Sequence, residues 1–276
     1  METDINSKCS SYEILLEAEF KDCVYNNTVQ NIKLIYLKET DSTNNEISRQ
    51  SALYDEGLTV VASSQKSGQG RYGRSFYSPD CNSLYMSILL RPDSKEKFDG
   101  ITIMAAVATA KAINELLPDG DKVTIKWVND LIFNNKKVGG IIAKAVNYGK
   151  DDMYVILGIG VNVFCPAEIP DEIMDIFTSL FPDKGEKSHE KNAFCARLCG
   201  LIIKNFFEIY NNAEDKEYIR LYRDLSCVIG KSVTYLNGNE EQNVFVRDID
   251  DEGSIVLEGE EENIRTYRDG EIRIRL

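Results

Sequence analysis

The sequence predicts an α+β fold with a separate all-β module at its C-terminal end, on three observations. Apolar strand-like runs recur through the first 163 residues, as in "NIKLIYLKE", "LTVVASS", "SLYMSILLRP" and "MYVILGIGVNV". One segment, "ITIMAAVATAKAINELL", is apolar nearly all round and reads as a helix buried in a core. From about Cys227 onward the pattern changes to short strands with turn signals, "SVTYLNGNEEQNVFVRDIDDEGSIVLEG".

Taken in order, the first 30 residues carry six acidic and two basic side chains. That is too short and too acidic for a helix-turn-helix DNA-binding domain, so no DNA partner is expected. The strand "NIKLIYLKE" follows, then a short helix in "DSTNNEISRQ", where Thr43 and Glu46 have the spacing of a capping box. "LTVVASS" leads into the glycine-rich loop "SSQKSGQGRYGRSFYSP", and "SLYMSILLRP" leaves it. The buried helix stops at Pro118. "KVTIKWVNDLIFNNKKVGGIIAKAV" reads as strands with a hairpin turn near Asn134 and Asn135. "MYVILGIGVNV" is a buried strand, and an amphipathic helix covers residues 189–211. In the tail, Asn237-Gly238 and "DDEG" punctuate hairpins. These signals divide the chain into an N-terminal extension (1–30), a main domain (31–226) and a small β-barrel (227–276).

Composition excludes several functions. At 276 residues and 43% hydrophobic, the chain can bury a substantial core. No apolar run approaches the roughly 20 residues needed to span a bilayer, and the N-terminus lacks a signal-peptide pattern, so no membrane association is expected. Seven scattered cysteines show no framework of pairs and fit a reduced, cytoplasmic protein. Cys195 and Cys199 lie on one face of an apolar helix and read as packing. The single histidine, His189, leaves no basis for His-dependent triads or metal sites.

The net charge of −13 makes local basic patches informative. Residues 57–79 hold Lys66, Arg71 and Arg74 with no acid, and residues 122–150 hold six lysines against Asp130 alone. Two basic islands in an acidic chain point to a small anion such as a nucleotide. Solvated lysines on edge strands would account equally for the second. The tail, with twelve acids and six bases, argues against an oligonucleotide-binding barrel.

The loop satisfies G-x-G-x-x-G from Gly68 and nearly satisfies a P-loop ending at Arg74. Both motifs need a helix to begin at the loop's end, and "SFYSPDCNS" leaves little room for one. What remains is a loop with Gly68, Gly70 and Gly73 among Gln65, Arg71 and Arg74. Such a loop can fold closely around a ligand and present guanidinium groups to phosphate or carboxylate.

Four blocks in order resemble one family, the biotin protein ligases. "GQGRYGRSFYSP" is similar to its "GRGRRGR-x-W-x-SP", "KWVNDLIFNNKKVGGIIAK" to its "KWPNDLY…KLAGIL", "DSTNNE" to its "DSTN", and "LGIGVNV" to its "G-x-G-x-N". Together they cover roughly residues 35–165, and the barrel-like tail ending "RDGEIRIRL" is similar to that family's C-terminal domain. The resemblance implies a mixed-sheet catalytic domain of the biotin/lipoate protein ligase type with a small Src-homology-3-like β-barrel. It implies ATP and biotin as substrates with Mg²⁺, formation of biotinyl-5′-AMP, and transfer of biotin to a lysine of a biotin carboxyl carrier domain.

Residue by residue, the resemblance assigns Ser42, Thr43, Asn44 and Gln65 to the biotin ring, along with Gln69, Gly70 and Arg71 of the loop. Gly139 and Gly140 let the backbone pass close to the ligand. Arg71, Lys137 and Asp130 take the catalytic roles, Lys137 bridging biotin carboxylate and α-phosphate, Asp130 orienting or holding Mg²⁺. Arg71, Arg74, Phe76, Lys126, Asn129, Lys137 and Asn162 match positions on the ATP side. Trp127 either stacks on ligand or fills core, and Asn162 either contacts adenine or caps its strand. The chain departs from the pattern at Gln69 (usually Arg), Phe76 (usually Trp), Val128 (usually Pro) and Lys144 (commonly acidic), which bears on loop charge and adenine contacts. A lipoate ligase of related fold and a non-catalytic biotin-binding protein are the rival readings. The sequence does not decide between monomer and homodimer.

Overall fold

The computed structural model describes residues 12–19, 21, 32–80, 83–148, 152–182, 188–237, 240–259, 263–268 and 271–274. Strands β1 (Lys33–Thr40), β2 (Leu58–Gln65), β3 (Ser83–Leu90), β4 (Thr124–Lys126), β5 (Asp130–Phe133), β6 (Lys136–Tyr148) and β7 (Asp152–Asn162) form one mixed sheet. Their order is β1-β2-β3-β7-β6-β5-β4, with β1 and β2 parallel and the other neighbours antiparallel. The β5–β6 hairpin turns at Asn134 and Asn135, with φ of 49° and 61°, as a tight two-residue turn of this kind requires.

Helices cover both faces. On one lie α2 (Lys95–Leu116) and α3 (Ser188–Asn211), and on the other lies the short α1 (Thr43–Gln50). Every residue of β3 is buried, as expected for a central strand covered on both sides. Its side chains alternate: Leu84, Met86, Ile88 and Leu90 join the large core, whereas Leu89 joins the smaller cluster around Ile47. α2 reads as foreseen, apolar nearly all round because α3 and α4 (Glu217–Leu225) also pack on it. Residues 12–19 are helical, and Tyr12 and Leu16 belong to the large core. Cys195 and Cys199 are buried there too, Cys199 Sγ lying 3.9 Å from Met86 Sδ, which makes them packing residues.

The C-terminal strands β8 (Ser232–Asn237), β9 (Glu240–Ile249), β10 (Ile255–Glu258), β11 (Ile264–Tyr267) and β12 (Glu271–Ile274) form a second, antiparallel, barrel-like module in the order β11-β10-β9-β8-β12. It is bound to the first domain by directed contacts. Trp127 Nε1 donates to Gly253 O (3.1 Å) and Arg223 Nε to Ile249 O (2.6 Å). No helix among the described residues is long and apolar enough to cross a membrane.

The capping box expected at Thr43 and Glu46 does not form. The N-cap is Ser42, whose side chain makes no capping bond, and Glu46 instead pairs with Arg49 at 2.7 Å and accepts from Gln50. Thr43 is therefore free to turn inward.

Candidate active site

Period-two alternation builds the floor. On the α1 face, β7 presents Tyr154, Ile156, Gly158, Gly160 and Asn162, so bulk vanishes toward the strand's end. Register sets Gly140 of β6 and Tyr85 of β3 against Gly160, and Ile142 and Ser87 against Gly158. A Cβ on Gly158 would lie 2.5 Å from Asn44 Oδ1, and one on Gly160 would lie 2.7 Å from the Phe76 ring. The two glycines thus admit Asn44 from α1 and Phe76 from the loop onto the sheet.

Between these elements lies a narrow cleft of about 30 Å³, lined by Ser42, Thr43, Asn44 and Gln65 over Gly158 and Gly160. Gln65 Oε1 accepts from Thr43 N (2.8 Å) and Oγ1 (3.1 Å), while its amide donates to Ser78 Oγ (3.0 Å). Gln65 is therefore a brace for Thr43. Ser87 Oγ lies 2.7 Å from Thr43 Oγ1 and 2.6 Å from Asn44 Oδ1, and its single proton serves one of them at a time. Ser42 Oγ is enclosed and has no hydrogen-bond partner among the described residues. A buried hydroxyl left unpaired is costly, and a ligand with neutral donors and acceptors would satisfy it.

Phe76, Gln69, Gly140 and Ile142 are shared with a larger cavity of about 470 Å³. Its wall carries four cations, Arg71, Arg74, Lys126 and Lys137, against one acid, Asp130. Within a chain of net charge −13 this is a concentrated anion site. Asp130 sits between Lys126 (2.8 Å) and Lys137 (2.6 Å). Burial pushes its carboxyl up, but the charges and hydrogen bonds of Lys137 and Lys126 outweigh that and hold it below the ordinary carboxylate value. Both oxygens are committed to ammonium groups, and no group of three His, Cys, Asp or Glu able to hold a metal occurs among the described residues. Asp130 is thus placed to orient the two lysines, and a lone carboxylate of this kind would hold Mg²⁺ only together with nucleotide phosphates.

The glycine-rich loop closes one side. Arg71–Gly73 form a single 3₁₀ turn with Tyr72 at φ 57°, and the backbone bonds Gly70 N→Arg74 O and Phe76 N→Gly68 O tie the loop to itself. No helix starts at Gly73, so both nucleotide-motif spacings are coincidental. Arg71 donates to Asn129 Oδ1 (3.2 Å) and Tyr72 OH (2.9 Å), and Asn129 in turn donates to Ile141 O (2.7 Å). Gln69 fastens the loop to α1 through Asn45 (3.0 Å).

The structure brings together nearly every residue singled out. The exception is Gly139, which faces inward: a Cβ there would meet Gly160 O at 2.6 Å and Leu131 at 3.1 Å. Its glycine serves the β6–β7 approach rather than a ligand. Trp127 fills core, 2% exposed and bonded to Gly253, and also lines the cavity. Asn162 donates to Thr178 O (3.1 Å) and also lines the cavity. Of the six lysines, Lys126 and Lys137 line the cavity.

Sequence reasoning missed the segment after β7. Lys137 N donates to Ile176 O (2.7 Å) and Thr178 N to Lys137 O (3.0 Å), which lays residues 173–178 along the start of β6. Ile173, Ile176 and Phe177 thereby form the cavity's apolar wall, with Phe177 edge-on to Tyr77. Their i, i+3, i+4 spacing was the available signal.

Fold and site define a class: a mixed-sheet α+β protein with a cationic, nucleotide-sized cavity opening onto a small neutral polar cleft. The Biotin/lipoate A/B protein ligase family profile matches residues 34–162. The chain is 40% identical over 159 residues to the bifunctional ligase/repressor BirA of Bacillus subtilis, covering 56% of this chain and 48% of that protein, about half its length. Against the protein of the same name from Bacillus spizizenii it is 33% identical over 233 residues, covering 83% and 70%. Among solved structures, the biotin protein ligase of Aquifex aeolicus in complex with biotin and ATP superposes with a TM-score of 0.71 at 27% identity, covering 88% of this chain and 98% of that one. The chain belongs to the biotin/lipoate A/B protein ligase family, among the biotin protein ligases.

Proposed function

We propose that this protein adenylates biotin with ATP and transfers the biotinyl group to a lysine of a biotin carboxyl carrier domain. The observation that carries the reading is the Lys126–Asp130–Lys137 triad, which together with Arg71 lines a cavity continuous with the cleft holding the unpaired Ser42 hydroxyl. In the first step a biotin carboxylate oxygen attacks the α-phosphorus, and pyrophosphate leaves with the electron pair of the broken P–O bond. Anion attack on a polyanion is opposed by charge, and cations placed beforehand remove that opposition without reorganising. Asp130 sets the two ammonium groups on either side of one carboxylate, so Lys137 is held where both anions must approach. Ile173 and Phe177 on one side and Phe76 on another supply apolar surface for the base. In the second step an amine displaces AMP from the mixed anhydride.

The cleft favours biotin over lipoate. Ser42, Thr43 and Asn44 offer hydroxyl and amide groups that match a ureido ring, whereas a dithiolane would leave them unpaired. Pyrophosphate exchange into ATP, run in Mg²⁺ buffer with biotin, with lipoate and with neither, tests this. Exchange should require biotin and fall by about 10²–10³ in Lys137→Ala. Exchange with lipoate alone would reassign the substrate, and tight biotin binding without exchange would make the protein a binder.

A further inference from the structure

A third space meets the other two. A cavity of about 270 Å³ lies between the N-terminal part of α2 and the barrel's Glu252–Ser254 turn. It shares Arg71, Ile141 and Ile142 with the nucleotide-sized cavity, so the two spaces meet at these residues. On the ligase reading above, the cleft takes the biotin ring and the large cavity takes the adenylate. The acceptor is a whole protein, and its lysine must reach the anhydride from solvent.

We infer that this junction cavity is the passage for the acceptor lysine, with Asp99 and Glu252 at its mouth receiving the ammonium group. The walls suit that side chain. Ile103, Val128, Ile141, Ile142 and Ala143 offer apolar surface to a four-carbon stem, and Asp99 and Glu252 stand where such a stem would enter. Both carboxylates are half exposed, and their present partners are weak surface contacts, Lys95 at 4.0 Å and Lys216 at 3.5 Å. An incoming ammonium can replace them. The charges converge on one place: burial raises the Tyr218 phenol, and Asp99, Glu96 and Glu252 raise it further. Arg268 adds one cation on the barrel side.

The chemistry balances without a further reactant. The ammonium loses one proton to water, and the free amine attacks the anhydride carbonyl carbon. The bond from that carbon to the phosphate oxygen breaks with its electron pair going to AMP, and the nitrogen's second proton leaves to give the amide. Arg71, which walls both spaces, is then both a cation on the leaving phosphate and the boundary that the amine must pass.

The two half-reactions separate this inference from the reading on which it rests. In the full chain, the double variant Asp99→Lys/Glu252→Lys and the plug Ala143→Phe should keep biotin-dependent pyrophosphate exchange within about two-fold. Single-turnover transfer from preformed biotinyl-5′-AMP to a purified biotin carboxyl carrier domain should fall at least about ten-fold in both. Transfer to hydroxylamine, a small neutral amine, should survive the charge reversal. Carrier transfer within about two-fold of wild type in both variants would overturn the inference. So would a loss of exchange matching the loss of transfer, because the cavity would then serve adenylation. Wild-type protein lacking exchange altogether would instead fail the ligase reading itself.

Discussion

Gly158→Ala is the substitution whose effect follows most directly from the geometry. The added methyl would sit 2.5 Å from Asn44 Oδ1, 3.0 Å from Asn44 Nδ2 and 2.9 Å from Ile142 Cγ2. Gly158 pairs with both Ser87 and Ile142, so the central strand cannot retreat, and Asn44 must swing away. That breaks the 2.6 Å contact with Ser87 and leaves buried polar groups to find new partners. With Asn44 displaced, biotin would lose one hydrogen bond at about 1 kcal/mol and keep a buried group unpaired at about 1–3 kcal/mol, which gives about 3 kcal/mol, or roughly 150-fold in biotin KM. On the proposed function the nucleotide takes the larger cavity beyond Phe76, so KM for ATP should move by less than about three-fold. Overpacking should also cost about 1–3 kcal/mol of stability, read as a lower melting temperature. Exchange kinetics with biotin and ATP varied in turn give both constants. A folded Gly158→Ala protein with an unchanged biotin KM would refute the placement of biotin against Asn44.

Three other perturbations test the supports of the site. Tyr72→Ala removes the hydroxyl and the ring that hold the Arg71 guanidinium, 2.9 Å and 4.8 Å away. Biotinyl-5′-AMP released into solution should rise several-fold over wild type, while Tyr72→Phe, keeping the ring, should release less, and chromatography of the products after one turnover measures it. Trp127→Phe deletes the donor to Gly253 O, which should cost about 1–3 kcal/mol and lower the melting temperature by about 2–4 °C per kcal/mol, with exchange slowed because the same segment carries Lys126. At Asp130 the folded-state pKa is lowered, so the triad's stabilisation is fully present above the ordinary carboxyl value of about 3.9 and is lost as pH falls through the lowered value. Denaturation midpoints should therefore be insensitive to Asp130 between about pH 5 and 8 and decline below about pH 4. Asp130→Asn should remove that component of the acid decline and cost at most about 3 kcal/mol at neutral pH, less than a fully buried pair because Lys137 is 35% exposed.

How much of this was legible depended on whether a role shows in residue type or only in register. The cations could be found from sequence because four of them stand out against an acidic chain. Gly158 and Gly160 were visible as a pattern, but their purpose was not. That they open space for Asn44 and Phe76 follows from facing Ser87, Ile142, Tyr85 and Gly140 across strands far apart in the chain. Gly139 failed for the same reason: adjacent to Gly140 in sequence, it points to the other face of the sheet. Thr43 and Glu46 fitted a capping box by spacing, yet the helix starts one residue earlier, and Thr43 is drawn to Gln65 instead.

The barrel illustrates the deeper limit. Its acidic composition could be read as covering the adenine side or as meeting the acceptor, with nothing in the sequence to separate the two. In the structure its Glu252–Ser254 turn holds the Trp127 segment, which lines the large cavity, and walls the junction cavity through Glu252. On the proposed function one short turn would touch both half-reactions, so a change there is expected to split them according to the atom altered. Loss of the Gly253 carbonyl contact should slow exchange, and reversal of the Glu252 charge should slow transfer alone. The two effects can be measured on the same purified protein, and finding them inseparable would mean that the turn acts only as a scaffold.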